Sequence, residues 1–535
     1  MNEENKHGTY NTLFHWQSFR LKLVIEGIIV GALAGLVVVF YRLAVEKAWE
    51  LTKSNYFMKE HNISSIILWF ILSIIISLII GNMVKKEPMI SGSGIPQVEG
   101  VLLRKLKMNW LRVIIGKFIG GVLAIGGGLS LGREGPSIQL GAAVGQGFSR
   151  IFKRVKVEEK YLITSGASAG LSAAFNAPLS GVIFALEEVH KNFSPLILIS
   201  AMSASLTADF ISKQFFGLRP VFDFQLLNVL PLKYYVYLIV LGVITGVFGV
   251  LYNKAILKTQ DLYGKFKWLT VERRPIVPFM VAGILGLILP EALGSGHELI
   301  TKMISENWTL KILIIILVVK FLFIMISFGS GVPGGIFLPL LVIGAITGGI
   351  YGNILVNTLN ISHQYVNNFI ILAMAGYFTA IVRAPITGSI LITEMTGSFS
   401  HLLSLTVVSI TAYIVADMLG SEPIYESLLE RFITKNDKEE HRFVGDSKKK
   451  VILEIAVCMD TIFEDKKIKD IDWPSNCLLV GVKRGQKEII PKGNTTIYAG
   501  DYLIVLVDED KAPQVTEVLL NMAGTCLVES CHTNR

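Results

Sequence analysis

GREGPSIQLGAAVG (132–145) and GGIFLPLLVIGAITG (334–348) are two versions of one pattern. Pro136, Gly141 and Gly145 return as Pro339, Gly344 and Gly348, at a constant offset of 203. Other pairs keep the same order. Gly92-Ser93-Gly94 returns as Gly294-Ser295-Gly296, and Lys117-Phe118 returns as Lys320-Phe321, at offsets of 202 and 203. Ala177-Pro178, Gly181 and Glu187 return as Ala384-Pro385, Gly388 and Glu394, at 207. One such match is weak. A whole series at nearly one offset marks a duplication with a small insertion.

Composition says what kind of body was duplicated. Of 535 residues, 52% are hydrophobic and 17% are charged, against roughly 25% charged in soluble proteins. Mean hydropathy is +0.55. Disordered, collagen-like and coiled-coil chains are excluded. So is an ordinary soluble enzyme, which could not hide this much apolar surface. The fold class expected is an all-α polytopic membrane protein with discontinuous helices and a small soluble part. Uncharged runs recur at His61–Val84, Phe118–Gly132, Tyr161–Leu186, Tyr234–Asn253, Phe321–Val382 and Met395–Ala416. About 20 apolar residues span a bilayer as a helix. Several runs are shorter, and Gly and Pro break others around Glu134 and across 331–339. Period-2 alternation is absent, which argues against a strand barrel. Broken helices at matching positions of two halves point to a transport site at their interface.

The net charge of +8 reads as basic loops rather than nucleic-acid binding. Lys85–Lys86, Arg104–Lys107 and Arg150–Lys160 fit the cytoplasmic side. No signal peptide is expected, since MNEENKHGTYNTLF is polar and the first apolar run starts near Leu23. The expected organisation is a cytoplasmic N-terminal segment (1–20), a membrane domain (21–430) and a linker (431–450). A small α+β domain (451–520) and a loose tail (521–535) follow. Strands are expected at Val451–Cys458, Cys477–Val482 and Tyr502–Val507, turns at Lys483–Gly485 and Pro491–Asn494, and a helix at Pro513–Met522. All four cysteines (Cys458, Cys477, Cys526, Cys531) lie in this part, and a reducing compartment is expected for it. Cys526-x4-Cys531-His532 has too few ligands for a closed structural metal site. Neither metal nor cofactor is expected.

Three Gly-rich segments carry the chemistry: GSGIP (92–96), GREGP (132–136) and GGIFLP (334–339). Each adjoins an apolar helical run. A helix N-terminus presents unsatisfied N–H groups and a positive dipole end. Several such ends converging in a membrane bind an anion without a full positive charge, and so without trapping it.

In this order and spacing the three segments resemble the signature segments of the CLC chloride channel and transporter family, over roughly residues 20–430. The resemblance implies inverted duplicated halves, a homodimer with one pore per subunit, and transport rather than enzyme chemistry. It implies chloride and protons as the transported species. Ser93 matches the family's chloride-coordinating serine, with Gly94 beside it. Ile336 and Phe337 match the positions whose backbone N–H groups face the ion. Tyr425 matches the tyrosine that caps the inner side. Glu134 matches the external gating glutamate: charged, its carboxylate competes with chloride for one seat, and protonated it can leave. Glu188 matches the inner proton-transfer glutamate of exchangers, which channels usually lack. Glu187 pairs with Glu394 in the repeat and reads as structural, and Glu99 resembles a buried acid on the inner route. Serine at position 93 favours chloride over nitrate, and GREGP with Tyr425 argues against the fluoride branch. A proton-coupled antiporter is expected in the cell membrane with both termini cytoplasmic. A passive channel, and a ligand sensor with vestigial transport, stay open as alternatives. Residues 451–510 resemble the C-terminal subdomain of RCK/TrkA potassium-transport regulators. That likeness implies dimerisation and a small ligand. A cyclic dinucleotide meeting Lys483, Arg484 and Lys487 is one reading, and a solvated basic face is the other.

Overall fold

The computed structural model describes residues 4–56, 63–222, 228–306, 308–437, 450–459, 461–475, 477–485, 487–508 and 511–524. The chain divides into two compact units, Met1–Asn436 and Asp437–Arg535.

The first unit runs α1 Glu4–Tyr56, α2 Ile63–Lys86, α3 Ile95–Leu102, α4 Trp110–Gly126, α5 Glu134–Ile151, α6 Lys156–Phe175, α7 Pro178–Phe184 and α8 Pro195–Phe216. It continues with α9 Tyr235–Lys265, α10 Ile276–Ile288, α11 His297–Ser305, α12 Leu310–Gly329 and α13 Phe337–Leu359. It ends with α14 Val366–Val382, α15 Pro385–Thr396, α16 Leu402–Met418 and α17 Ile424–Asp437. The duplication is visible element by element. α3 and α11 are short helices after Gly-Ser-Gly, α5 and α13 follow the Gly-rich breaks, and α7 and α15 each begin at Ala-Pro. α17 stands after the second half.

Eight helices among the described residues are long and apolar enough to cross a bilayer. α2 turns Ile67, Leu68, Ile71, Ile75 and Leu78 outward, as a helix facing lipid does. Every residue but one of α14 is buried, the position of a helix apolar on all sides. Small residues bring the inner helices together. A Cβ on Gly141 of α5 would lie 2.1 Å from the Gly166 carbonyl oxygen of α6, and the reverse contact is also 2.1 Å. The repeat does the same at Gly348, 2.2 Å from the Phe369 oxygen.

The breaks lie elsewhere than the sequence pattern suggests. Gly135 and Pro136 do not interrupt a helix. They occupy the first turn of α5, where proline's missing N–H costs nothing. Pro339 sits likewise in α13. The run 161–186 divides at Asn176, which has φ +52. The polar lead-in is helical and continuous with α1. Within the expected linker, α17 reaches Asp437, and the first strand begins at Lys450. Residues 438–449 lie outside the described residues.

Two glutamates tie the halves reciprocally. Glu187 accepts from the N–H groups of Ile386 (3.3 Å) and Thr387 (2.8 Å) and the Thr387 hydroxyl (2.7 Å), at the start of α15. Glu394 accepts from the N–H groups of Leu179 (3.0 Å) and Ser180 (2.7 Å) and the Ser180 hydroxyl (2.5 Å), at the start of α7. Each carboxylate fills the other half's helix N-terminus, which accounts for their pairing in the repeat.

In the second unit β1 (Lys450–Ala456), β2 (Cys477–Arg484), β3 (Lys487–Ile489) and β4 (Asp501–Asp508) form an antiparallel sheet of order β1-β4-β2-β3. α18 (Ala512–Ala523) closes its core through Val515 and Leu519, with Val482, Leu503 and Val505. The turn expected from Lys483 is displaced: Lys483 and Arg484 belong to β2, and Gly485 at φ +58 begins the turn. Cys477 is a free thiol. Cys526, Cys531 and His532 lie outside the described residues. Arg484 binds both oxygens of buried Asp501, each at 2.8 Å, and lies over the Tyr498 ring. Burial opposes ionisation of Asp501. The Arg484 hydrogen bonds and the Tyr498 N–H outweigh it and hold this carboxyl below its ordinary value.

Two predictions follow from these ties. Glu187→Ala and Glu394→Ala should each cost roughly 1–3 kcal/mol by orphaning helix-start donors. Thermal unfolding in detergent reads this, and an unchanged midpoint in either variant contradicts the reciprocal arrangement. A carboxyl with a lowered folded pKa adds stability that is complete above its unfolded pKa and is lost as pH falls through the folded one. Amide exchange on β2 and β4 should therefore rise below the ordinary aspartate range in the wild type. In Asp501→Asn that acid-dependent rise should be missing.

Candidate functional site

The site begins in a tight turn. Gly94 caps α3 at φ +95, a conformation that suits only glycine. Buried Lys117 on α4 donates to the Ile90 (2.9 Å) and Gly92 (2.6 Å) carbonyls and so fixes the approach to that turn. Gln97 and Gln139 donate to the Ser91 and Met89 carbonyls, both at 2.8 Å. In the second half Lys320 repeats the device on the Ala292, Leu293 and Gly294 carbonyls.

Backbone bonds then draw the broken segments together. Gly132 and Gly335 exchange both N–H···O bonds at 2.7 Å. The Gly92 N–H donates to the Val332 carbonyl at 3.2 Å, and the Gly334 N–H donates to the Gly92 carbonyl at 2.9 Å. The starts of α3, α5 and α13 therefore meet. Ser93 packs on the first turn of α5, where a Cβ at Gly135 would lie 2.3 Å from Ser93 Oγ. Ile336 caps α13 and is fully buried with Phe337. The Phe337 ring meets Phe184 (5.8 Å between centroids), and Phe184 meets Tyr425 on α17 (6.5 Å).

Among the described residues, Ser93 Oγ and the Tyr425 hydroxyl are buried without a hydrogen bond. The Glu134 carboxylate faces the backbone N–H groups of Glu134 and Leu338 at the starts of α5 and α13. Leaving such hydroxyls buried and unpaired normally costs about 1–3 kcal/mol each. Arg133 hydrogen-bonds Glu46 at 2.6 Å rather than Glu134, which it reaches only electrostatically, and Glu46 also accepts from Arg42 at 3.2 Å. The Glu134 side chain folds back over Gly132, where a Cβ would lie 2.3 Å from Oε2. A pocket of about 310 Å³ lined by Arg42, Glu46, Arg133, His297 and Leu338 opens beside this seat.

Glu188 lies in a π-turn, Ala185–Val189, that extends α7. It is buried, with Oε1 unpartnered. Tyr425 is within electrostatic reach of both Glu188 and Glu134. Glu99 is buried and ion-paired with Lys191 at 2.7 Å. The structure thus gathers Ser93, Gly94, Glu134, Ile336, Phe337 and Tyr425, with Glu188 on the Tyr425 side. Lys483, Arg484 and Lys487 belong to the other unit. Arg484 is half-exposed and commits Nε and Nη2 to Asp501 and the Thr496 carbonyl (2.9 Å). Lys483 and Lys487 remain exposed. Sequence reasoning missed Glu46, Gln97, Gln139 and Lys191. It saw Lys117 only as a repeat marker, although a lysine inside an apolar helix already signals a buried partner.

A family profile for the voltage gated chloride channel matches residues 76–417. The chain belongs to the CLC family. A TrkA-C domain profile matches residues 452–520. The chain is 34% identical over 430 residues to the H(+)/Cl(-) exchange transporter ClcA of Salmonella arizonae, covering 78% of this chain and 90% of that one. The ClcA of Citrobacter koseri is 33% identical over the same shares. Among solved CLC structures, a slow cyanobacterial Cl-/H+ antiporter is similar at TM-score 0.73 and 30% identity, over 78% of this chain and 99% of that one. A eukaryotic CLC transporter shares the fold at TM-score 0.66 and 23% identity, over 77% and 74%. The chain is therefore a multi-pass membrane protein of the CLC fold.

The geometry makes Gly135 a test of the Ser93 hydroxyl. In Gly135→Ala the added methyl displaces that hydroxyl. A hydrogen bond to a charged group is worth about 1.5–3 kcal/mol, so chloride affinity should fall about tenfold or more. Isothermal titration with chloride checks this, and wild-type affinity in the variant would contradict it.

Proposed function

We propose that this CLC chain is a proton-coupled chloride antiporter. The reading rests above all on Glu134, a buried carboxylate at the helix start on which Ser93 packs, facing the Leu338 N–H of α13. Chloride would lie between the Ser93 and Tyr425 hydroxyls, facing the Gly94 turn and the first N–H groups of α13 at Ile336 and Phe337. Those N–H groups have no intrahelical acceptor, and the dipole end adds partial positive charge. The Glu134 carboxylate has the same charge as chloride and competes for the same donors. Once protonated it is neutral and gives way. One seat thereby alternates between a proton-linked carboxylate and an anion.

Glu188 supplies the second carboxyl. It is buried on the Tyr425 side, away from the pocket beside Glu134, and passes protons between the site and the cytoplasm. The names of the exchange transporters similar to this chain support the same assignment. The protein would sit in the cell membrane as a homodimer with both termini cytoplasmic. The TrkA-C unit would respond to a small anionic ligand such as a cyclic dinucleotide, for which Lys483 and Lys487 are the exposed cations.

Liposomes loaded with chloride and monitored with a pH electrode test the reading. An outward chloride gradient should drive protons uphill, and the movement should vanish in Glu134→Gln and Glu188→Gln. Chloride efflux without proton movement in the wild type would mean a passive channel instead.

A further inference from the structure

Lys191 has a backbone conformation that a side-chain-bearing residue seldom keeps, φ +54. Such strain persists only where the surroundings enforce it. Here the enforcing contacts are ionic. The Lys191 ammonium pairs with Glu99 of α3 at 2.7 Å and with Glu426 of α17. These two helices carry the two hydroxyls of the anion site: Ser93 precedes α3, and Tyr425 is the residue before Glu426. Glu99 and Glu188 are both buried, and each keeps an unpartnered oxygen, Glu99 Oε2 and Glu188 Oε1.

We infer that Lys191 is a positioning residue for proton transfer, tying α3 to α17 and setting the charge that Glu188 faces. The inference rests on the antiporter reading. Glu188 is surrounded by acids: Glu187 on its own turn, Glu99 from α3 and Glu426 from α17. Lys191 is the cation among them, and Lys105 lies farther out beside Glu99. From α6 come Thr164, hydrogen-bonded to His190 Nδ1 at 2.8 Å, and Lys160 near the same imidazole. The chain from Asn192 to Ile199, into α8, adds no acid or base.

The consequence is electrostatic. With Lys191 in place, one of the three surrounding negative charges is offset and Glu188 can release its proton. Without it, three acids share one region and bind protons more tightly. An opposite charge within a few ångströms lowers a carboxyl pKa by roughly 1–3 units. Removing that charge moves the pH midpoint of proton turnover upward by a comparable amount. A merely structural tie would lower the amount of active protein without moving that midpoint.

The test uses the full chain in liposomes, with proton and chloride flux recorded separately against pH on the Glu188 face. Lys191→Met should shift the proton-flux midpoint upward by about one pH unit or more, and Lys191→Arg should restore it. Glu426→Gln removes a neighbouring negative charge and should shift it downward. If Lys191→Met does not fold, the Glu426→Gln profile decides. A wild-type midpoint in Lys191→Met, or in Glu426→Gln where that variant decides, overturns the role of Lys191 while leaving antiport intact. A wild type without coupled proton movement overturns antiport, and this inference with it.

Discussion

An irregular backbone inside a membrane must find every hydrogen bond within the protein. The mutual bond between Gly132 and Gly335 meets that demand where α5 and α13 break. The Gly92 bonds to Val332 and Gly334 extend it to α3, and the bond from Gly294 to the Gly128 carbonyl at 2.9 Å extends it toward α11. Buried Lys117 and Lys320 satisfy the carbonyls just before α3 and α11. With those groups satisfied, the helices can stop in mid-membrane and aim their N-termini inward. The same bonds place Ser93 on Gly135 and Ile336 beside them. The proposed anion site would thus follow from how these segments are held.

The site's balance is electrostatic. Helix starts and hydroxyls carry only partial charges, and in the proposed mechanism they would hold an anion without trapping it. A full cation at the seat would bind too tightly, and Arg133 is kept from that role by Glu46. In the proposed mechanism Glu134 competes with chloride because its carboxylate faces helix-start N–H groups. The unpartnered Tyr425 hydroxyl connects the two ends, within electrostatic reach of both Glu134 and Glu188.

Much of this was legible before any coordinates. The repeat named the broken segments, because Gly and Pro at matching positions survive in sequence as identities. Glu187 was recognised as structural from its match to Glu394, and the reciprocal caps explain that match. The exact breaks were not legible: Gly135 and Pro136 suit a loop and a first helical turn equally well, and only the Gly132–Gly335 bridge decides between them. Contacts between distant segments left no local signal, so Glu46 and Lys191 went unnoticed. In the second unit, strand alternation located three strands closely and missed the short β3. Arg484 looked like a free surface cation because its partner Asp501 lies across the strand pair.

The central claim is that chloride and the Glu134 carboxylate share one seat. By linkage, chloride binding must then take up protons and lower pH must tighten chloride binding, by the same coupling. The direct measurement is chloride titration calorimetry in buffers of different ionisation enthalpy, which counts protons exchanged per chloride bound. The account predicts net proton uptake by the wild type and none in Glu134→Gln. Chloride binding with no proton uptake in the wild type, or with equal uptake in both proteins, would contradict it.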